Sequence, residues 1–400
     1  IDTTDADEFN IHTSGFQLVQ GSVAHQLDTE GDVANEGFSR VVWAEGREEA
    51  RFSDGKLAAF LELRDVDVRG EIQSLDNMTI NFVDLVNEVH REAYGLDGST
   101  DNDFFTEYPF VNNVLGNYDR NGDGDFDSTY VFRVSGANQL DPQQQVGLAG
   151  TLTLSGPSGL VSIDYSETDT VGDIVNRINF SVSEVVARLD NDGRLTLKGT
   201  PAENTEDPDF VIRYLEDSGQ FLSGYAGILQ GSGPDNAYAW DQADAVLALR
   251  GDGLDYAVAP LAHPSGWIGV NQDLVQEPAR VAASTGTAGR SGNPGDGSAA
   301  LQIASIRNTR VQVGQIQSFD DYFADSVANV ALKGEEAELA LATQNAIMKD
   351  LRDTRASISG VNIDEEIAQM IKFQHGYSAA ARFITEVDRM LDTIINRMGV

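Results

Sequence analysis

Four hundred residues, 41% of them hydrophobic, are enough for two or three domains with cores of their own. Cysteine is absent, which removes disulfides, thiolate metal sites and cysteine nucleophiles together. The formal charge of −37 argues against nucleic acid and anionic membranes as partners, because a phosphate reader needs a basic face.

Residues 1–52 carry short apolar stretches, Phe16-Gln17-Leu18-Val19 and Val41-Val42-Trp43, broken by Gly, Asn and Asp. They read as strands, the β-rich end of an outer domain. From Leu57 the period changes. Val68, Ile72, Leu75, Phe82, Val86, Val89 and Ala93 recur mostly three or four residues apart until Gly95, which predicts one long amphipathic helix within 53–105, with Gly70 as its weak point. Its length suggests bundle or coiled-coil packing.

Residues 106–276 return to β-type runs with Gly and Asp turns, as an inserted β-rich region. Within it, 149–200 has the order ββαββ. Thr151 to Leu154 and Val161 to Tyr165 alternate as strands, and Val171, Ile174, Val175 and Ile178 mark a short helix. Val185 to Leu189 and Leu195 to Leu197 then flank an Asn191-Asp192-Gly193 turn. Residues 277–310 read as a flexible connection, rich in Gly, Ser, Ala and Thr, followed by a strand returning to the helical region.

Residues 311–400 hold the strongest periodicity. Ile367, Met370, Gln374, Tyr377, Ala381, Ile384, Asp388, Leu391, Ile395 and Met398 follow an alternation of three- and four-residue steps, a heptad seam. The preceding segment does nearly the same from Phe319 to Ile358, and Ser359-Gly360 separates the two. The seam suits any helical bundle, an internal hairpin included. Ile363 and Phe373 join it as candidate interface residues, while Gln374 and Asp388 on the same line cost stability and limit register. The expected fold class is α+β, a long-helix bundle or coiled-coil core with inserted β-rich domains.

One motif suggests a metal. Asp119, Asn121, Asp123, Asp125 and Asp127 place side-chain oxygens at alternate positions around Gly124, as a Ca²⁺ loop of the form DxNxDGxxD does. Tyr130 stands where an EF-hand supplies a bidentate Glu, so an acidic hairpin turn without metal is the competing reading. No required cofactor is expected. The histidines at 12, 25, 90, 263 and 375 lack HExxH or HxH spacing, no GxSxG motif occurs, and Gly231-Ser232-Gly233 is not followed by the lysine of a phosphate loop. An enzyme is not expected. With no signal peptide, no run of about 20 apolar residues and Ile1 at its start, the chain reads as a soluble piece with its own N-terminus upstream.

Leu332-Lys333-Gly334, Leu341-Ala342-Thr343-Gln344-Asn345, the run from Ser357 to Glu366, Lys372-Phe373-Gln374, Tyr377 to Arg382 and Asp388-Arg389-Met390-Leu391-Asp392 together resemble the C-terminal region of the FlgK-type flagellar hook-associated family. Gly55 to Asp65 looks like that family's entry into its long helix, and Asp103-Phe104-Phe105 like its exit. Thr170 to Asn179 with Leu189 to Thr196 is similar to the flagellin-type insert module. The resemblance implies an exported structural subunit of the bacterial flagellum, external or periplasmic, at the hook-filament junction. It implies self-assembly through terminal helices into a ring-like homo-oligomer, with the hook protein and a second junction protein as further partners. It also implies that residues 363–398, without an N-terminal helix to pair with, assemble poorly alone. The alternative from another class is a secreted calcium- or carbohydrate-binding module on a coiled-coil stalk.

Overall fold

The computed structural model describes residues 10–13, 16–32, 38–53, 55–106, 117–118, 128–204, 207–242, 245–250, 255–259, 263–286, 294–308, 311–313, 315–359 and 363–397. The chain divides into two units, Ile1–Ser326 and Val327–Val400.

In the first unit, strands β1 (Asn10–Thr13), β2 (Phe16–Gln20) and β3 (Val23–Ala24) form one small antiparallel sheet, and β4 (Leu27–Gly31) pairs with β5 (Ser39–Trp43) in another. Helix follows in α1 (Gly55–Glu62), a π-helical stretch at Leu63–Val68, and α2 (Arg69–Glu92). The weak point expected at Gly70 therefore lies just upstream of it. There the wider turn carries Val66 and Val68, whose β-branched side chains fit a regular helix less well. Helix α2 ends at Glu92, ahead of Gly95, where Ala93 turns to extended backbone.

The inserted region contains β6 (Asn117–Tyr118) paired with β7 (Ser128–Thr129), then β8 (Val131–Gln139), β9 (Gly150–Gly156), β10 (Gly159–Tyr165), α3 (Val171–Asn179), β11 (Val185–Leu189), β12 (Arg194–Gly199), β13 (Tyr214–Asp217), β14 (Tyr238–Ala239) and β15 (Asp255–Val258). Two antiparallel sheets result, ordered β10-β9-β13-β14 and β11-β12-β8-β15. Helix α3 starts at a capping box. The Thr170 hydroxyl accepts from Asp173 N–H at 3.1 Å, and the Asp173 carboxylate accepts from Thr170 N–H at 3.0 Å. Its Val171, Ile174 and Ile178 are buried in one cluster with Leu152, Leu154, Ile163, Leu195 and Leu197. The turn between β11 and β12 closes on Gly193 at φ +80°, a backbone that favours glycine. In β8, a methyl group on Gly136 would run into the Ala226 carbonyl, so that position needs the missing Cβ.

The segment 277–310, expected to be a connection, contains a helix. After α4 (Gln272–Gln276), helix α5 (Ser298–Ile306) buries Ala299 and Ile306 with Leu85, Val86 and Val89 of α2. Ala299, which looks like linker composition, is here a buried side chain in the contact with α2. A short pair, β16 (Val311–Val313) with β17 (Gln315–Gln317), precedes α6 (Phe319–Ser359). Phe319 is buried in the α2–α5 cluster with its ring edge-on to Phe82, centroids 5.8 Å apart. The second unit contains the rest of α6 and α7 (Ile363–Arg397).

Candidate assembly site

On α2 an unusual set of polar residues is buried: Asp76, Asn77, Asn81, Asp84, Asn87 and His90. Their spacing of mostly three or four residues puts them on one side of the helix, and each fixes a different part of the first unit. The Asp76 carboxylate accepts from Ser265 N–H at 2.9 Å and lies 2.9 Å from His263 Nδ1. Asn77 donates to the Tyr322 hydroxyl at 3.3 Å, tying the first turn of α6 to α2. Asn87 accepts from the N–H groups of Phe104 and Phe105 at 3.0 and 2.9 Å, and donates to Phe105 O at 3.0 Å. His90 Nε2 accepts from Ala282 N–H at 2.8 Å while Nδ1 lies 2.6 Å from Asn102 O, so both ring nitrogens are engaged.

The centre of this row is ionic. Asp84, fully buried, contacts Arg133 of β8 and Lys198 of β12, with Arg188 of β11 at 3.8 Å. Lys198 is 3.4 Å from Asn81 Oδ1 and lies over the Phe132 ring at 5.9 Å from its centroid. Burial pushes the Asp84 carboxyl up, but Lys198, Arg133 and Arg188 together outweigh it and hold it well below the carboxylate range. Burial pushes the Lys198 ammonium down to about 8 against the pull of Asp84. The two directions differ because three cations share one carboxylate. One helix thus carries the anion on which three strands of the inserted sheet converge.

Replacing Asn87 with Ala strands the Phe104 and Phe105 N–H groups where the chain leaves α2. We expect a loss of about 2–3 kcal/mol in urea unfolding, with faster hydrogen exchange at residues 104 and 105.

In the second unit the heptad seam is uncovered. Ile363, Met370, Phe373, Tyr377, Ile384 and Ile395 are more than half exposed, Tyr377 to 79%. Ile367, Gln374, Ala381 and Leu391 are exposed as well. Leu339, Leu341 and Leu351 on α6 are equally open, so the two helices do not bury each other's stripes. Met398, the last seam position, lies outside the described residues, as do Asp119, Asn121, Asp123, Asp125 and Asp127. Among the described residues no group of three or more His, Asp or Glu is placed to hold a metal, and no helix is long and apolar enough to cross a membrane.

Three family models match. Residues 1–105 fit the flagellar hook-associated protein FlgK helical domain, 151–200 the flagellin hook IN motif, and 354–398 the C-terminal model of the flagellar basal body rod FlgEFG proteins. The flagellar hook-associated protein 1 of Escherichia coli is 24% identical over 412 residues, covering 99% of this chain and 60% of its own. Nearly the whole chain is thus similar to a FlgK-type hook-associated protein. That of Bacillus subtilis is 26% identical over 294 residues, which is 66% of this chain and 56% of the relative. The chain thus spans somewhat over half the length of the FlgK-family relatives it matches. The solved hook junction protein FlgK of Burkholderia pseudomallei aligns with 88% of this chain and 75% of its own, at 10% identity and a TM-score of 0.36. The seam was readable from its spacing. The polar row on α2 was not, because Asp76, Asn77, Asn81 and Asn87 fall between the apolar positions and look like a solvated face until the partners are known.

Proposed function

We propose that this chain forms the outer domains and the C-terminal assembly helices of a hook-filament junction subunit, which works by self-association and not by catalysis. The observation that carries this reading is the apolar seam of α7, exposed from Ile363 to Ile395. About eight large apolar side chains left in water are a stored driving force of roughly 1.5–3 kcal/mol each once a partner covers them. Its partners are further copies in a ring, the hook protein and the second junction protein, all outside the cytoplasm after export. The inserted sheets are held to α2 by the Asp84 network. We also propose Asp119, Asn121, Asp123, Asp125 and Asp127 as a Ca²⁺ loop, on their spacing. Heat released on titration with millimolar Ca²⁺ supports it, and its absence removes it.

The test of the junction role is docking. The protein expressed from its full gene binds the distal end of isolated hooks in electron micrographs, and deletion of 361–400 abolishes binding. A folded full-length protein that ignores hooks sinks the proposal and favours a ligand-binding module on a stalk.

A further inference from the structure

The last turn of α2 meets the turn between β11 and β12 around a recess of about 250 Å³. Across this contact the Asn191 N–H donates to Glu88 Oε1 at 3.1 Å, and the Arg188 guanidinium pairs with the same carboxylate. Every other charge facing this recess can be placed. From α2 come Arg91 and Glu92, and Asp101 follows in the chain. From the turn come Asp190, Asp192 and Arg194, and from β8 and β15 come Arg133 and Asp255.

The cations have anionic partners. Arg188 serves Glu88 and Asp84, Arg133 serves Asp84 and Asp255, Arg194 lies 3.7 Å from Asp192, and Arg91 is 2.5 Å from Asp103. Glu92 therefore meets Glu88, Asp190 and Asp192 with the side-chain amide of Asn191 as its hydrogen-bond donor. It also sits at the helix C-terminus, where the backbone dipole opposes a negative charge. Burial first, then Asp192, Glu88 and Asp190, push its carboxyl up to about 7, although much of the residue's surface is open.

We propose that this contact is a pH-operated latch between α2 and the inserted module, closed when Glu92 carries a proton and loosened when Glu92 is ionised. The sign follows from the direction of the shift. A carboxyl that holds its proton more tightly in the closed form stabilises that form fully below the ordinary carboxyl range, and the stabilisation is lost as the pH rises through about 7. Salt acts alongside the proton by screening the four carboxylates.

Hydrogen exchange of the full chain reads the latch directly. At low salt, protection of the amides at 189–194, corrected for intrinsic rates, falls about three- to fivefold between pH 6 and pH 8.5, less than the roughly tenfold that a carboxyl held at about 7 gives without solvent screening. Glu92→Gln removes the fall, Asp192→Asn moves its midpoint to lower pH, and 1 M NaCl flattens it. Parallel profiles in the wild type and Glu92→Gln overturn the proposal, as does an Asp192→Asn midpoint that does not move.

Discussion

Asp84→Ala is expected to cost the first unit about 3–5 kcal/mol, among the largest single-residue losses available in this fold. The substitution removes a small side chain and takes the Asp84 carboxylate away from the Arg133 and Lys198 charges, which are buried at 4% and 3% exposure. Arg188 keeps Glu88, and Arg133 keeps the longer contact to Asp255 at 3.4 Å, so the deficit falls first on Lys198. Urea unfolding followed by tryptophan fluorescence measures it, because Trp240 packs against the buried cluster of Phe132 and Phe210 beside the network. A loss below about 1 kcal/mol would mean that water reaches the charges and that the network is solvated.

A paired substitution separates the charge from the shape. Asp84→Leu with Lys198→Met removes one anion and one cation, and recovers at least half of the loss if the stranded ammonium is its main source. Acid resistance follows the same logic. Because Asp84 is held far below the carboxylate range, its stabilisation is present above the ordinary carboxylate value and is given up only when the pH falls through the depressed one. Acid that protonates surface carboxylates leaves this network standing.

What was legible in the sequence follows the kind of signal each element carries. Helices α6 and α7 and the strands and helix of 150–199 stood out because apolar periodicity and turn residues are local, and Thr170-Asp173 and Gly193 mark their own cap and turn. Helix α5 was hidden, since Ala299 and its small neighbours read as linker until Ala299 and Ile306 are seen packed with Leu85 and Val89 of α2. The polar row of α2 was hidden for a deeper reason: Asp84 is satisfied by side chains 49 and 114 residues away, at 133 and 198, and no local pattern encodes such pairings. The seam was legible as a seam but not as an exposed one, because spacing is the same whether a partner covers it or not.

The second large effect belongs to that seam. Changing Ile384 and Leu391 together to Asp is expected to leave the fold untouched, because both side chains are already exposed, at 62% and 47%. Unfolding of the first unit should move by less than about 0.5 kcal/mol, and the helical circular dichroism should hold. Docking of the full-length protein onto hooks, by contrast, should weaken at least a hundredfold. Two apolar anchors worth roughly 1.5–3 kcal/mol each are lost, and two carboxylates are forced into a contact that excludes water. The complementary change tests specificity. Asp388 lies on the same stripe and is exposed, so Asp388→Leu makes the stripe continuous and should raise self-association of the chain in sedimentation velocity while lowering the fraction that docks correctly. If the double Asp variant docks as well as the wild type, the exposed stripe is not the joining surface and the assembly contact lies elsewhere on the chain. If Asp388→Leu docks normally without extra self-association, the polar positions carry no register information and the seam works by hydrophobicity alone.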